Sequence, residues 1–469
     1  MTFIQLEFLW LFALVYAAYW LWRNRTWQNL LLVGTSAVFY GWIHQWFLFL
    51  LYGSAVLDYT MGRCMQRYPE HKKKFLIISM SGNLGMLGYF KYCDFFIENF
   101  IAAFSAMGMD TNLHTLGIFL PVGISFYTFQ TMSYTIDIFK GQLEPRKNFL
   151  DYIVFVSFFP QLVAGPVERA SSLLPQVEKD RVFSWEMLRS GFGLALWGAF
   201  KKVCVADQVA PYVDKIFIVS EPSGPMIWAA TLGFSVQILA DFSGYTDIAR
   251  GISRMLGFEL VENFKSPYLA RNPSDFWRRW HVSFSTWIRD YLYFTFGGSR
   301  GGFWGTVKAT FGAMLLSGLW HGAAWTFVLW GAFHAVIITG YKLVTPKIPK
   351  ALRKSTPGDW AAIVIMFGFT NVGWLIFRET HIDRLLQFFS LNPFGGTQEQ
   401  WVAAAVMLGV VLVYSTPLVL AALLERTLLP AIREKDWYLP VQTTAWSLWA
   451  VGILLFVRTT NQDFIYFQF

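Results

Sequence analysis

The sequence predicts an all-α integral membrane protein, and three observations predict it. Of the 469 residues, 55% are hydrophobic and only 14% charged, where a soluble domain carries roughly 25% charged residues. Apolar stretches of roughly 20 residues, the length that crosses a bilayer core as a helix, recur from one end of the chain to the other. Lys and Arg, which produce a net charge of +8, fall in short clusters between those stretches, as positive-inside loop signals do. That distribution also argues against nucleic acid as a partner; the charge belongs to a membrane topology. Three cysteines, Cys64, Cys93 and Cys204, lie far apart and make no disulfide framework or metal-ligand spacing.

The first apolar stretch, 3–22, has no basic leader, carries Glu7, and ends Trp20-Leu21-Trp22-Arg23 without small residues. It therefore reads as a retained span rather than a signal peptide. Residues 28–62 are flanked by Arg23 and Arg25 on one side and by Arg63, Arg67 and Lys72 to Lys74 on the other. If both flanks are cytoplasmic the chain crosses twice, turning near His44-Gln45. Further spans fall at 75–97, 115–138, 149–168, 187–213, 225–249, 305–320, 322–344, 360–377, 401–424 and 441–458. The total is about 11–12 transmembrane helices. Residues 251–304 fit no ordinary span, because aromatics alternate there with Arg254, Glu259, Glu262, Lys265, Arg271, Asp275, Arg278, Arg279, Arg289, Asp290 and Arg300. Re-entrant or interfacial helices on the cytoplasmic side suit them, since irregular backbone at membrane depth has to be covered by protein. No soluble domain and no internal repeat is visible, so 1–469 reads as a single polytopic domain.

Within this apolar frame one ionisable side chain stands out. His321 sits in Leu315-Leu316-Ser317-Gly318-Leu319-Trp320-His321-Gly322-Ala323-Ala324-Trp325, with nothing charged nearby. An ionisable group there is expensive and marks a functional site by default; imidazole also suits proton transfer near neutrality. The plainer alternative is a neutral histidine bridging two helices. Upstream, Phe276-Trp277-Arg278-Arg279-Trp280-His281 opens a run of aromatic and cationic residues. At helical spacing Trp277, Trp280 and Trp287 share a face beside His281, as in an interfacial amphipathic helix.

Other constellations are weaker. Asp241-Phe242-Ser243-Gly244-Tyr245-Thr246-Asp247 puts two carboxylates at the end of an apolar helix. Asp247 and Arg250, three apart, suit an ion pair, whereas Asp241 lies deeper. Gly297-Gly298-Ser299-Arg300-Gly301-Gly302 offers backbone N–H groups to a phosphate, but no Lys-Ser/Thr follows it as in a nucleotide P-loop, and a helix connection is the plainer reading. On a continuous helix His334 lies roughly 220° round from His321, which argues against a shared metal. No zinc-type ligand spacing occurs. The chain ends Asp463-Phe464-Ile465-Tyr466-Phe467-Gln468-Phe469, either an aromatic interfacial anchor or a segment whose Tyr466 hydroxyl accepts a group.

Taken together these segments resemble the membrane-bound O-acyltransferase family, in particular its bacterial alginate O-acetyltransferase branch. Two earlier segments, Leu120-Pro121-Val122-Gly123-Ile124-Ser125-Phe126-Tyr127-Thr128-Phe129-Gln130 and Phe159-Pro160-Gln161-Leu162-Val163-Ala164-Gly165-Pro166, extend the likeness over nearly the whole chain. Val167 is a departure, where isoleucine is expected. The resemblance implies a funnel of helices thinned at its centre, in a bacterial inner (cytoplasmic) membrane. It implies an acyl thioester arriving from the cytoplasm and O-acetylation of an extracytoplasmic polysaccharide such as alginate. His321 becomes the expected general base, His281 the second polar position of the active site, and Tyr466 a transient acyl carrier serving a periplasmic partner of the acetyltransferase or esterase type. Arg278, Arg279, Arg300 and Trp280 are the expected donor-binding residues, and Asp241, Ser243 and Tyr245 the supporting ones. No carrier-docking domain is visible, so acetyl-coenzyme A is the simpler donor, and no permanently bound cofactor or metal is expected. A polysaccharide or lipid transporter, or a scaffold of an export complex, is the competing reading, although transporters commonly carry repeated halves.

Overall fold

The computed structural model describes residues 1–42, 44–162, 165–349, 351, 355–427, 438–457 and 464–465; of 425–427 it describes the backbone alone. Among the described residues the chain is helical, with no strand. In chain order the helices are α1 (Leu6–Leu21), α2 (Arg25–Gly41), α3 (Phe47–Arg67), α4 (Lys72–Leu87), α5 (Cys93–Ala106), α6 (Ile124–Phe139), α7 (Phe149–Ser157), α8 (Phe159–Leu162), α9 (Ala170–Glu178) and α10 (Trp185–Phe200). They continue with α11 (Asp207–Phe217), α12 (Gly224–Met255), α13 (Pro273–Trp277), α14 (Val282–Trp287), α15 (Gly302–His321), α16 (Trp325–Val344), α17 (Thr356–Arg378), α18 (Ile382–Ser390), α19 (Gln398–Thr427) and α20 (Tyr438–Phe456). Among the described residues five helices, α12, α16, α17, α19 and α20, are long and apolar enough to cross a membrane; α1 and the α7–α8 stretch are apolar but shorter.

The chain forms two compact units, Met1–Phe192 with Ala249–Val261, and Gly193–Ile248 with Glu262–Phe469. In the first, the break expected near His44 falls between Gly41 and Phe47. Residues 115–123 are not helical, contrary to the span expected over 115–138, and α6 begins only at Ile124. Pro121 and the left-handed Gly123 (φ 76°) set that start. A Cβ on Gly123 would also lie 2.5 Å from the Leu162 carbonyl oxygen, so only glycine allows this approach. Polar side chains tie the apolar helices together: Ser79 Oγ and Asn83 Nδ2 on α4 donate to the Asp58 carboxylate on α3 at 2.5 and 2.8 Å. Arg181 donates to Asn29 Oδ1 at 2.7 Å and Gln28 Oε1 at 3.1 Å. Burial of these groups is tolerated because each finds a partner.

In the second unit, α15 and α16 form a tight hairpin. A Cβ on Gly318 would meet the Phe327 carbonyl oxygen at 2.1 Å, and one on Gly331 would meet that of Met314 at 2.2 Å. Small residues let the two backbones touch, the usual device of helix association in lipid. The same device joins α10 to α12, where a Cβ on Gly198 would stand 2.5 Å from the Gly244 carbonyl oxygen. Immediately after α10 the chain widens into a π-helical turn, Lys201–Ala206.

Candidate active site

The site begins with a break in a helix. Helix α15 runs to His321 and stops; Gly322 is extended at φ −165°, and α16 starts afresh at Trp325. His321 is therefore a helix-terminal residue, only 5% exposed. Its ring is enclosed by Trp320 and Trp330 at 5.0 Å, Phe377 at 5.2 Å and Phe284 at 5.5 Å between centroids. The break also corrects the expectation for His334. The two histidines do not ride one continuous helix, and both rings meet Trp330, His334 at 4.6 Å.

His281 reaches the same aromatic group by another route. The expected continuous amphipathic helix is absent: α13 ends at Trp277 and α14 begins at Val282. Between them His281 adopts a left-handed backbone, φ 44°, which costs a non-glycine residue roughly 1–2 kcal/mol. Asn263 holds the corner, its carbonyl accepting from Val282 N–H and its Oδ1 from Ser283 N–H, each at 3.0 Å. The His281 ring, 1% exposed, stacks 5.0 Å from Phe284 and lies 6.4 Å from Trp320. Phe284 and Trp320 thus neighbour both imidazoles. Burial pulls the His281 imidazole well below its ordinary pKa, so the neutral ring is the resting form. A neutral imidazole offers one N–H donor and one acceptor.

The remaining expected residues divide. Trp280 is buried in an aromatic stack with Phe276 at 5.8 Å and Trp374 at 4.7 Å. Arg279 donates to Asp275 at 2.9 Å and to the Lys265 carbonyl at 3.2 Å, which orders the turn before His281. Arg278 and Arg300 are exposed. Gly297, Gly298 and Gly302, around Arg300, have positive φ. Ser243 accepts from Lys201 Nζ at 2.9 Å, and Asp247 pairs with the same ammonium at 2.6 Å. Asp241 does not face an imidazole among its described partners. It accepts the Ile465 N–H at 2.7 Å and pairs with Lys202 at 2.8 Å. Tyr245 meets the Phe464 ring at 4.7 Å. Tyr466 lies outside the described residues. No group of three or more His, Cys, Asp or Glu side chains that could hold a metal occurs among the described residues.

Sequence reasoning passed over Phe284, Trp330, Phe377, Asn263 and Lys202. A signal existed for the last: two adjacent lysines inside the apolar stretch 187–213 are as anomalous as His321. The aromatic neighbours carried no such mark among 46 phenylalanines and 22 tryptophans.

A family model, MBOAT, the membrane-bound O-acyltransferase family, matches residues 140–377, which include both histidines. The probable alginate O-acetylase AlgI of Azotobacter vinelandii is 38% identical over 82% of this chain and 76% of its own length. That of Pseudomonas putida is 33% identical over 100% of both chains. The peptidoglycan O-acetyltransferase of Helicobacter pylori is 34% identical over 78% of this chain and 73% of its own.

Proposed function

This chain belongs to the membrane-bound O-acyltransferase family, and on that premise we propose that it moves an acetyl group from a cytoplasmic thioester, acetyl-coenzyme A, across the bacterial inner membrane for O-acetylation of an extracytoplasmic polysaccharide such as alginate. It is a multi-pass membrane acyltransferase; donor, direction and acceptor are the proposed part. The observation that carries the reading is His321, a buried imidazole at a helix break, ringed by aromatics within the matched family region.

The chemistry follows from acidities. A thiol ionises near 8.5, a phenol near 10, and a sugar hydroxyl is a weaker acid still. An acetyl group passed from thioester to phenol to sugar therefore goes each time to a poorer leaving group. In the first step His321 takes the Tyr466 phenol proton as the oxygen attacks the thioester carbonyl. The C–O bond forms, the C–S bond breaks, and the imidazolium returns the proton to the departing thiolate. His281, neutral, donates its N–H to the developing oxyanion, an interaction that strengthens as charge builds. Aromatic walls exclude water, which would otherwise hydrolyse the ester. Arg278, Arg279 and Arg300 meet the coenzyme phosphates, with Trp280 backing that surface. The aryl ester then passes to a periplasmic partner that acetylates the polymer.

The test is mass spectrometry of the C-terminal peptide after incubation with isotopically labelled acetyl-coenzyme A. The expected result is label on Tyr466 in the native protein and none in Tyr466→Phe, with His321→Ala slowed at least about 100-fold. Undiminished polymer acetylation by His321→Ala would move the reading to transport or scaffolding.

A further inference from the structure

A set of buried charges beside Ile465 has no part in the chemistry above. Lys202 Nζ pairs with Asp241 Oδ1 and with Asp207 Oδ1, both at 2.8 Å, and Lys202 and Asp241 are 1% and 2% exposed. Lys202 thus bridges two carboxylates, one on α11 and one on α12. The second oxygen of Asp241 is directed at a distant backbone group, accepting the Ile465 N–H at 2.7 Å across 224 residues of sequence. A charge-assisted bond of this kind is about twice as strong as a neutral one.

The neighbouring helical positions hold the side chain that precedes this amide. Phe464 meets Phe242 at 5.6 Å and Tyr245 at 4.7 Å, while Phe242 meets His281 at 4.7 Å. One turn of α12 thus touches the backbone of the C-terminal segment, its aromatic anchor and the catalytic candidate His281. Two local features bring the ammonium there: the Gly198–Gly244 approach of α10 to α12, and the π-helical turn carrying Lys202, a feature frequent at functional sites.

We propose that Asp241, oriented by Lys202, is a positioning residue that docks Phe464 and Ile465 against the His281 wall and so tethers the chain that carries Tyr466. The proposal rests on the Tyr466 reading above. Its physical content is that a segment already tethered beside His281 need not be ordered at each turnover, and such ordering is a large part of an acyl-transfer barrier.

The experiment is hydrogen exchange with mass spectrometry on the full-length protein in lipid nanodiscs, paired with the labelled-donor assay. Asp241→Leu removes the acceptor on the same branched heavy-atom skeleton and leaves the Lys202–Asp207 pair in place; Asp241→Asn keeps one acceptor oxygen. In Asp241→Leu the Ile465 amide is expected to exchange at least about tenfold faster, with peptides of α16 and α17 unchanged. Labelling of the C-terminal peptide falls at least about tenfold in kcat while the donor KM stays within about twofold, and Asp241→Asn falls between. Unchanged Ile465 exchange overturns the proposal. So does exchange that rises equally throughout α16 and α17, the mark of a merely structural carboxylate, or a released segment that is still labelled at the native rate. If the native protein takes no label on Tyr466, the acyl-carrier reading fails by itself, and the exchange arm still decides the docking.

Discussion

His281 shows how much a single backbone angle can decide. Its φ of 44° ends one short helix, starts another and turns the imidazole toward Phe284, so side chain and strain arrive together, as they often do at functional sites. Replacing it with glycine separates the two. In His281→Gly the relief of roughly 1–2 kcal/mol of backbone strain offsets part of the lost packing, and the thermal unfolding midpoint should move little. Acyl transfer should fall about 100-fold or more through loss of the proposed oxyanion donor. A His281→Gly protein that transfers acetyl at the native rate would remove this residue from the chemistry. Sequence pattern had identified the imidazole but not its conformation, because nothing in Trp280-His281-Val282 announces a left-handed residue. The Asn263 contacts that hold it come from 18 and more residues upstream.

At the scale of elements, the α15–α16 hairpin sets the position of His321. Gly331 lies where a Cβ would come within 2.2 Å of the Met314 carbonyl oxygen, whereas Gly340, on the same helix, has nothing within 4 Å. The pair makes an internal control. Gly331→Leu should separate the helices at an overpacking cost of roughly 1–3 kcal/mol, lower the unfolding midpoint and displace His321, abolishing transfer. Gly340→Ala should leave both unchanged, since Ala suits a helix interior better than Gly. Equal behaviour of the two variants in thermal unfolding and acetyl transfer would show that the glycine crossing does not set the catalytic geometry. Both helices were legible as apolar stretches; the first ends at His321, one residue past the expected end, and the second begins at Trp325, three residues past the expected start. The tightness of their crossing was not legible, because glycine in an apolar run marks flexibility as readily as contact.

For the whole molecule, the solvent is the first question. Helices α19 and α20 bury almost none of their apolar length, with Leu412, Val413, Leu454 and Leu455 at least 65% exposed. Water would make such faces a strong liability, and lipid makes them ordinary. Orientation rests on the basic clusters. If they mark the cytoplasm, the glycine loop around Arg300 is the proposed entry of the donor. Arg300→Cys should then react with a membrane-impermeant thiol reagent only from the cytoplasmic side, and acetyl-coenzyme A should protect it. Loss of the guanidinium should raise the donor KM several-fold with kcat nearly constant. Labelling from the opposite face would invert the proposed direction, and unaltered donor kinetics would leave the loop a connector.

The sequence by itself determined the solvent, the helical class and the family, and it singled out two imidazoles as candidates. Those properties follow from composition, period and local motif, which are averages or patterns over neighbouring residues. Only the tertiary structure decided what each charge and ring faces. Asp241 meets a backbone amide 224 residues away, and His321 meets Phe284 and Phe377 from separate stretches of chain. Such partners are chosen by how helices cross, through glycine contacts, a helix break and a π-helical turn, and a linear pattern does not record where two helices touch.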